Sequence, residues 1–411
     1  MVDCCSAPGL KPFEEAFAQM LEQITPITDS EVISLTAALG RVLATDIVSP
    51  INVPPHNNSA MDGYAFNVAD LMHTERLTLV GRSMAGAPFQ GTVGKNECIR
   101  IMTGAKMPSD CDTVEMQENC QVEGDTIHFL EPRKQADNVR NAGEDIAKGH
   151  LVFAKGRKLS PVDIGMLASL GIATVKVIRQ LTIALIATGD ELKKPGTALT
   201  DGDIYESNSH TLSAMLQKMQ VKVIDFGIIE DDEQAIREAF EQADTVADAV
   251  ISSGGVSVGD ADYTKQVLQE LGEIGFWKIA MKPGKPFAFG KLPNSYFFGL
   301  PGNPVSALVT AHLLTIPALT KLQSAKAYQP VSLNVKTATS LKKSPGRMDF
   351  QRGVLSVNEH GETVVSSTGS QGSGILTSMA VANCYIVLPS CAGKVAEGEL
   401  VEVQLFDQFF Q

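Results

Sequence analysis

DAVISSGGVSVGDADYTKQVLQELG, residues 248–272, decides how this chain folds. A short apolar run, AVISS, stops at Gly254-Gly255, and DYTKQVLQELG then places apolar residues at helical spacing. Strand, glycine loop and helix in that order form the repeating unit of a parallel sheet. A glycine loop after a buried strand offers bare backbone N–H groups to an anion. This one carries Asp260 and Asp262 but no lysine, and lacks the G-x-x-x-x-G-K-[ST] spacing of a P-loop. A phosphate bridged to carboxylates by Mg²⁺ reconciles the two features, because Mg²⁺ binds through one or two carboxylates plus phosphate oxygens.

The same alternation extends on both sides. LTIALIAT (181–188), VKVIDFGII (221–229), GFWKIAM (275–281), PFAFG (286–290) and YFFGL (296–300) read as strands. SNSHTLSAMLQKMQ (207–220), DDEQAIREAFEQA (231–243) and VSALVTAHLLTI (305–316) read as helices. Alternating apolar strands and amphipathic helices predict a doubly wound α/β domain over 181–327, its parallel sheet covered on both faces. Residues 49–147 show short β-like runs separated by Gly, Asp and Asn, and read as a β-rich inserted module. Its flanks, 1–48 and 148–180, read as one discontinuous domain, with a helix at PFEEAFAQMLEQI (12–24) and a second short helix at 36–42. Only short strands and turns occupy 328–411, a small all-β module.

Composition narrows the function. With 34 Lys+Arg against 47 Asp+Glu, the 411 residues carry a net charge of −13, which argues against nucleic acid and anionic membrane as partners. No run approaches the ~18 uninterrupted apolar residues of a membrane span. The N-terminus lacks the pattern of a signal peptide. Seven cysteines without C-x-x-C fit reduced thiols and a cytoplasmic location. The scattered histidines point away from a His/Cys metal site and toward a hard cation held by oxygen.

Ligands of open α/β sheets sit at the carboxyl ends of the strands. Three such ends are acidic: Thr188-Gly189-Asp190-Glu191, Glu230-Asp231-Asp232, and Gly254-Gly255 with Asp260 and Asp262. They converge if the strands are neighbours; the alternative is that they cap the following helices. Lys278, Lys282 and Lys285 follow in WKIAMKPGKPFAFG, where the K-P-G-K-P frame fixes two ammonium groups in a tight turn able to clasp an oxyanion. GLPGNPVSA (299–307) brings Pro301 and Pro304 to a helix start, either an oxyanion receptor or a plain β–α turn. Asp62 in MDGY, Thr103 in IMTGA, Arg140 and Asp145 in RNAGEDIAKG, Arg352 in DFQRG and Ser373 in GSQGSG stand in turn-like settings that alone imply little.

Together, NNSAMDGYA, IRIMTGA, GEDI, TGDEL, SSGGVSVGDADYTK, KPGKPFAFG, GLPGNPVSA and DFQRG resemble, in this order, the molybdopterin molybdenumtransferase (MoeA) family, whose relatives include the E domain of gephyrin. The resemblance covers nearly the whole chain. It implies an elongated, four-part homodimer with an α/β molybdopterin-binding domain, a β-rich insertion and a C-terminal β-barrel. It implies that adenylylated molybdopterin releases AMP while its dithiolene receives molybdate, with a Mg²⁺ requirement. A molybdopterin adenylyltransferase and molybdenum-enzyme maturation proteins are the implied partners. By position, Asp62, Thr103, Asp145, Glu191, Asp231 and Asp262 fall to catalysis, with Glu191 and Asp262 as metal ligands. Arg140, Gly254, Gly255, Ser257, Lys278, Pro301 and Pro304 fall to the substrate, and Lys282, Lys285, Arg352 and Ser373 to molybdate. Two readings compete: a Mg²⁺-dependent nucleotide hydrolase, which releases AMP without pterin, and a pterin-carrying scaffold, which tolerates loss of Glu191 or Asp262.

Overall fold

The computed structural model describes residues 9–255, 263–327 and 330–410. The chain divides into two units, one of Val32–Leu39 and Leu43–Lys176, the other of Met1–Glu31, Gly40–Val42 and Val177–Gln411.

The first unit holds a six-stranded sheet in the order Thr113–Met116, Gly63–Phe66, Glu97–Ile101, Arg76–Ser83, Thr126–Phe129, Cys120–Glu123. Ala65, Ile99, Ile101 and Val114 pack on one side, Phe66, Leu77, Ile127 and Phe129 on the other. Beyond the sheet, Ile47–Val48 pairs antiparallel with Leu151–Phe153, bringing the flanks of the sheet-bearing segment together. The helix Pro161–Ser169 is held at its start by a capping box between Ser160 and Asp163. The expected helix at 36–42 is only a 3-10 turn at Leu35–Ala37, because the apolar positions are too few to cover a face.

In the second unit, strands β1 (Thr182–Thr188), β2 (Lys222–Ile229), β3 (Ala249–Ser253), β4 (Glu273–Lys278), β5 (Pro286–Lys291) and β6 (Tyr296–Leu300) form one sheet, ordered β2-β1-β3-β6-β5-β4. β2, β1, β3 and β6 are mutually parallel, whereas β5 pairs antiparallel with both β6 and β4. The all-parallel expectation therefore fails at one edge. A parallel return needs a crossover of a dozen or more residues, and neither the link from β4 to β5 nor that from β5 to β6 contains a helix. Side chains alternate across the sheet. Ile183, Leu185 and Phe298 meet helices α1 (Phe13–Gln23), α2 (Asn208–Lys218) and α5 (Pro304–Leu322). Ala184, Ile186 and Phe297 meet α3 (Glu233–Val246) and α4 (Tyr263–Leu271). By length and composition α5 could cross a membrane; here it is a core helix, with Val305, Ala307, Leu308, Val309 and Leu314 buried.

The C-terminal strands β7 (Ser332–Thr337), β8 (Met348–Val357), β9 (Thr363–Ser367), β10 (Cys384–Leu388) and β11 (Leu400–Leu405) close into a barrel, β8-β9-β7-β11-β10-β8. Gly353 is the corner of the long strand β8, pairing with Ser367 of β9 and with Cys384 of β10. A Cβ there would lie 2.7 Å from Ile386 and 3.0 Å from Val365, so only glycine lets the barrel close. The barrel is tied to the α/β sheet where Met281–Lys282 pairs with Met348 and Asp349.

Candidate active site

β1 leads through α2 to β2 on one side of it, and β2 leads through α3 back to β3 on the other. Such a reversal opens a crevice at the carboxyl ends of the two neighbouring strands. The three strand ends are neighbours, with the acidic residues of β1 and β2 among the described residues. At Gly254 a Cβ would lie 2.7 Å from the Thr188 carbonyl oxygen, and at Gly255 2.5 Å from Thr264 Oγ1. Both glycines have positive φ, +94° and +65°, which other residues adopt only with strain. Asn208, at the start of α2, donates through Nδ2 to Ser253 Oγ at 2.7 Å and to the Gly302 carbonyl at 2.8 Å. It joins β3 to the Pro301-Gly302-Asn303 turn that opens α5. Thr188 Oγ1, Ser252 Oγ and Asn208 Oδ1 are buried and have no partner among the described residues. These atoms keep hydrogen-bonding capacity unused at the ends of β1 and β3.

The rim is acidic. Asp190, Glu191, Glu230 and Asp231 are all exposed. The Asp231 amide donates to Asp190 Oδ1 at 3.1 Å, linking the ends of β1 and β2. The helix cap belongs to Asp232, which accepts from Ala235 N at 2.9 Å. Asp231 is thus free of the capping role. The Glu191 carboxylate folds back over Gly189, with Oε2 2.7 Å from the position a Cβ would take. No three His, Cys, Asp or Glu side chains gather into a metal cluster among the described residues. Ser257, Asp260 and Asp262 lie outside the described residues. The donors present are nonetheless hard oxygens beside a crevice suited to phosphate, which fits Mg²⁺ completed by phosphate and water.

The lysine turn is rigid. Ile279 N donates to the Lys285 carbonyl at 2.8 Å, and a Cβ at Gly284 would lie 2.3 Å from Thr310 Oγ1 of α5. Lys278 and Lys285 are exposed, whereas Lys282 Nζ sits 3.5 Å from Asp349 Oδ2. Arg352 is 1% exposed. Its Nε donates to Ser378 Oγ at 3.0 Å and its Nη2 to the Gly372 carbonyl at 3.2 Å. Burial draws its pKa below the usual arginine value, against the pull of Asp349. The Ser373 carbonyl accepts from Val305 N at 3.0 Å, docking its loop on the first turn of α5. Arg352 therefore braces the Ser373 loop from the outer face of the barrel, the side that carries Phe350 and Tyr385, while Lys285 faces solvent.

In the other unit the Asp62 and Thr103 turns meet. Asp62 Oδ1 accepts from both the Thr103 amide and hydroxyl, each at 2.7 Å. These donors hold the Asp62 carboxyl below its usual range. The pair rests on a shared frame: Gly104 N donates to the Ser59 carbonyl, Arg140 pairs with Asn58, and Asp145 N donates to the Val53 carbonyl. Asp62, Thr103, Arg140 and Asp145 thus hang on one segment, residues 53–62.

Three family descriptions match the chain consecutively: the MoeA N-terminal region (domain I and II) over 11–171, the probable molybdopterin binding domain over 184–321, and the MoeA C-terminal region (domain IV) over 334–406. The chain belongs to the MoeA family. It is 47% identical to the molybdopterin molybdenumtransferase of Haemophilus influenzae, over 96% of this chain and 98% of that one. It is 32% identical to gephyrin of Dictyostelium discoideum, over 97% of this chain and 63% of that protein. The solved MoeA protein of Pyrococcus horikoshii superimposes with a TM-score of 0.83 at 31% identity, over 97% of this chain and all of that one, 100%. Membership makes this chain a transferase.

In this MoeA chain, Asn208 escaped the reading of the sequence, and Thr188 and Asp190 were read only as part of an acidic strand end. The available signal was the polar run SNS where a core-facing helix begins, since a buried asparagine needs partners.

Proposed function

We propose that the chain inserts molybdate into adenylylated molybdopterin with release of AMP, in the cytoplasm and as a homodimer. The observation that carries this reading is the crevice at the ends of β1, β3 and β6, where glycine amides, orphaned buried polar atoms and an acidic rim adjoin a pinned lysine turn. The relatives named as molybdopterin molybdenumtransferases support the substrate class. Gly255 and the Ser306 amide in the first turn of α5 receive the phosphates through backbone N–H groups, while the Gly254 and Val305 amides are held by the Leu300 and Ser373 carbonyls. Glu191, with Asp262, would hold Mg²⁺, which supplies charge neutralisation at the phosphoric anhydride. The lysine turn binds molybdate, a tetrahedral dianion suited to paired ammonium groups. Asp62 and Thr103 form a preset acceptor–donor pair for the same reaction. An adenylyltransferase upstream and maturation proteins downstream would be its partners.

The test follows AMP and active cofactor together after incubation with adenylylated molybdopterin, molybdate and Mg²⁺. Both should appear, and both should stop on exhaustive chelation. AMP released without pterin would favour a nucleotide hydrolase, and full activity after chelation would remove the metal. Lys285→Ala removes one charge-assisted contact of about 1.5–3 kcal/mol, or about a tenfold to hundredfold loss of molybdate affinity. Excess molybdate should rescue it but not Glu191→Gln. Sedimentation equilibrium should give twice the 43.9 kDa chain mass.

A further inference from the structure

The lysine turn borders a second feature, which neither the family resemblance nor the crevice accounts for. Leu341-Lys342-Lys343-Ser344-Pro345-Gly346-Arg347 leads into β8, and pairing of Lys282 with Asp349 brings this segment against the turn. Between them lies a cavity of about 170 Å³ lined by Lys282, Lys342, Lys343, Ser344, Arg347 and Asp349. A single water needs only about 10–15 Å³. Four of the six lining side chains are cationic and one is anionic, in a chain whose net charge is −13.

The one carboxylate is engaged through Oδ2, while its Oδ1 is buried without a partner among the described residues. Asp349 is 2% exposed, and its Oδ2 accepts from Gln351 Nε2 at 3.1 Å beside Lys282 Nζ. Lys343 is aimed rather than free to swing. Its ammonium donates to the carbonyls of Ser344 at 2.9 Å and Arg347 at 2.7 Å. Those carbonyls fix its position without neutralising its charge, and an ammonium has three donors. Burial lowers the Lys343 pKa, and Lys282 and Arg347 press it further down against the pull of Asp349. Like charges gathered so closely oppose folding unless an anion joins them. Lys285, Arg352 and Ser373 do not line this cavity.

We infer that the cavity beneath the lysine turn is a separate site for a tetrahedral oxydianion, held by Lys342, Lys343 and Arg347 with Lys282 as its inner wall. Its occupant is molybdate, retained beside the turn that delivers it. Naming molybdate rests on the proposed function; anion binding at Lys343 and Arg347 does not.

The test uses the full chain without pterin. Calorimetric titration with molybdate is compared with sulfate, inorganic phosphate and AMP, on the wild type and on Lys343→Gln, Arg347→Gln and Lys342→Gln. Molybdate should bind, and each of the first two substitutions should weaken it about tenfold or more. Lys342→Gln, at an exposed position, keeps the test open should a more buried variant fail to fold. Molybdate should also raise the wild-type Tm more than that of any variant. Unchanged molybdate affinity in Arg347→Gln and Lys343→Gln would overturn the site. Binding of AMP or phosphate in its place, lost in the same variants, would overturn molybdate as the occupant. Because no cofactor is formed in this experiment, failure of the transferase reading alone would leave these binding outcomes as expected.

Discussion

Asn208→Ala tests whether the three strand ends form one crevice. Asn208 is 8% exposed, and its Nδ2 makes two hydrogen bonds, at 2.7 Å to Ser253 Oγ and 2.8 Å to the Gly302 carbonyl. Each such bond contributes about 0.5–1.5 kcal/mol net, so their loss costs about 1–3 kcal/mol. Ser253, 4% exposed, is then left with an orphaned hydroxyl, whereas exposed Gly302 can turn to water. Against this, Asn208 Oδ1 has no protein partner, so its removal recovers part of its own burial cost. The balance predicts a loss of about 2 kcal/mol from the urea unfolding transition of this unit. If Oδ1 serves the substrate, adenylylated molybdopterin binding should fall about tenfold or more in addition, since a lost ligand contact of about 1.4 kcal/mol is tenfold. A double-mutant cycle with Ser253→Ala separates the contact from general damage, and should return about 1 kcal/mol of coupling. A change below about 0.5 kcal/mol, with substrate affinity intact, would refute the idea that Asn208 ties β3 to the α5 turn.

Two other sites offer independent checks. Thr103→Ala should raise the Asp62 carboxyl part of the way toward the usual aspartate range, read by NMR titration, because it removes the hydroxyl donor and leaves the stronger hold of the residue 103 amide. The sign follows from a depressed folded-state pKa: this contribution is present above about pH 4 and lost as the pH falls through the folded value. An unmoved titration curve would mean that the hydroxyl contributes nothing. Asp163→Ala should destabilise the helix start at Pro161 by about 1–2 kcal/mol, the cost of losing a capping side chain. Burial alone would raise the Asp163 pKa, yet donors from Arg157 and Ser160 hold it low; the substitution removes the capping box, while exposed Arg157 can turn to water. A loss below about 1 kcal/mol in thermal or urea unfolding would show the capping box to contribute little.

The residues that the sequence placed correctly were those whose reason is local. Strands β1, β2 and β3 and helices α2, α3 and α4 follow from periodicity, because each must bury one face or one stripe in any fold it joins. Gly254-Gly255 at the end of AVISS was legible as a tight glycine turn for the same reason: its requirement for positive φ belongs to the backbone itself. Strand direction at β4 and β5 was not legible from apolar pattern, since parallel and antiparallel strands bury the same residues and only the lengths of their connections distinguish them. Asp62 and Thr103 stand 41 residues apart, and each looks like an ordinary turn residue. Only the meeting of two loops at Ser59 makes them a pair. Asn208 was hidden because a helix start with a polar residue needs no explanation until its neighbours prove to be Ser253 and Gly302. Nothing in the sequence pattern singles out Lys342, Lys343 and Arg347. Pairing of Asp349 with Lys282 brings Lys343 and Arg347 to a cavity wall with Lys342 at its exposed rim, because a charge acquires a partner or a penalty only through what the folded chain brings within a few ångströms of it.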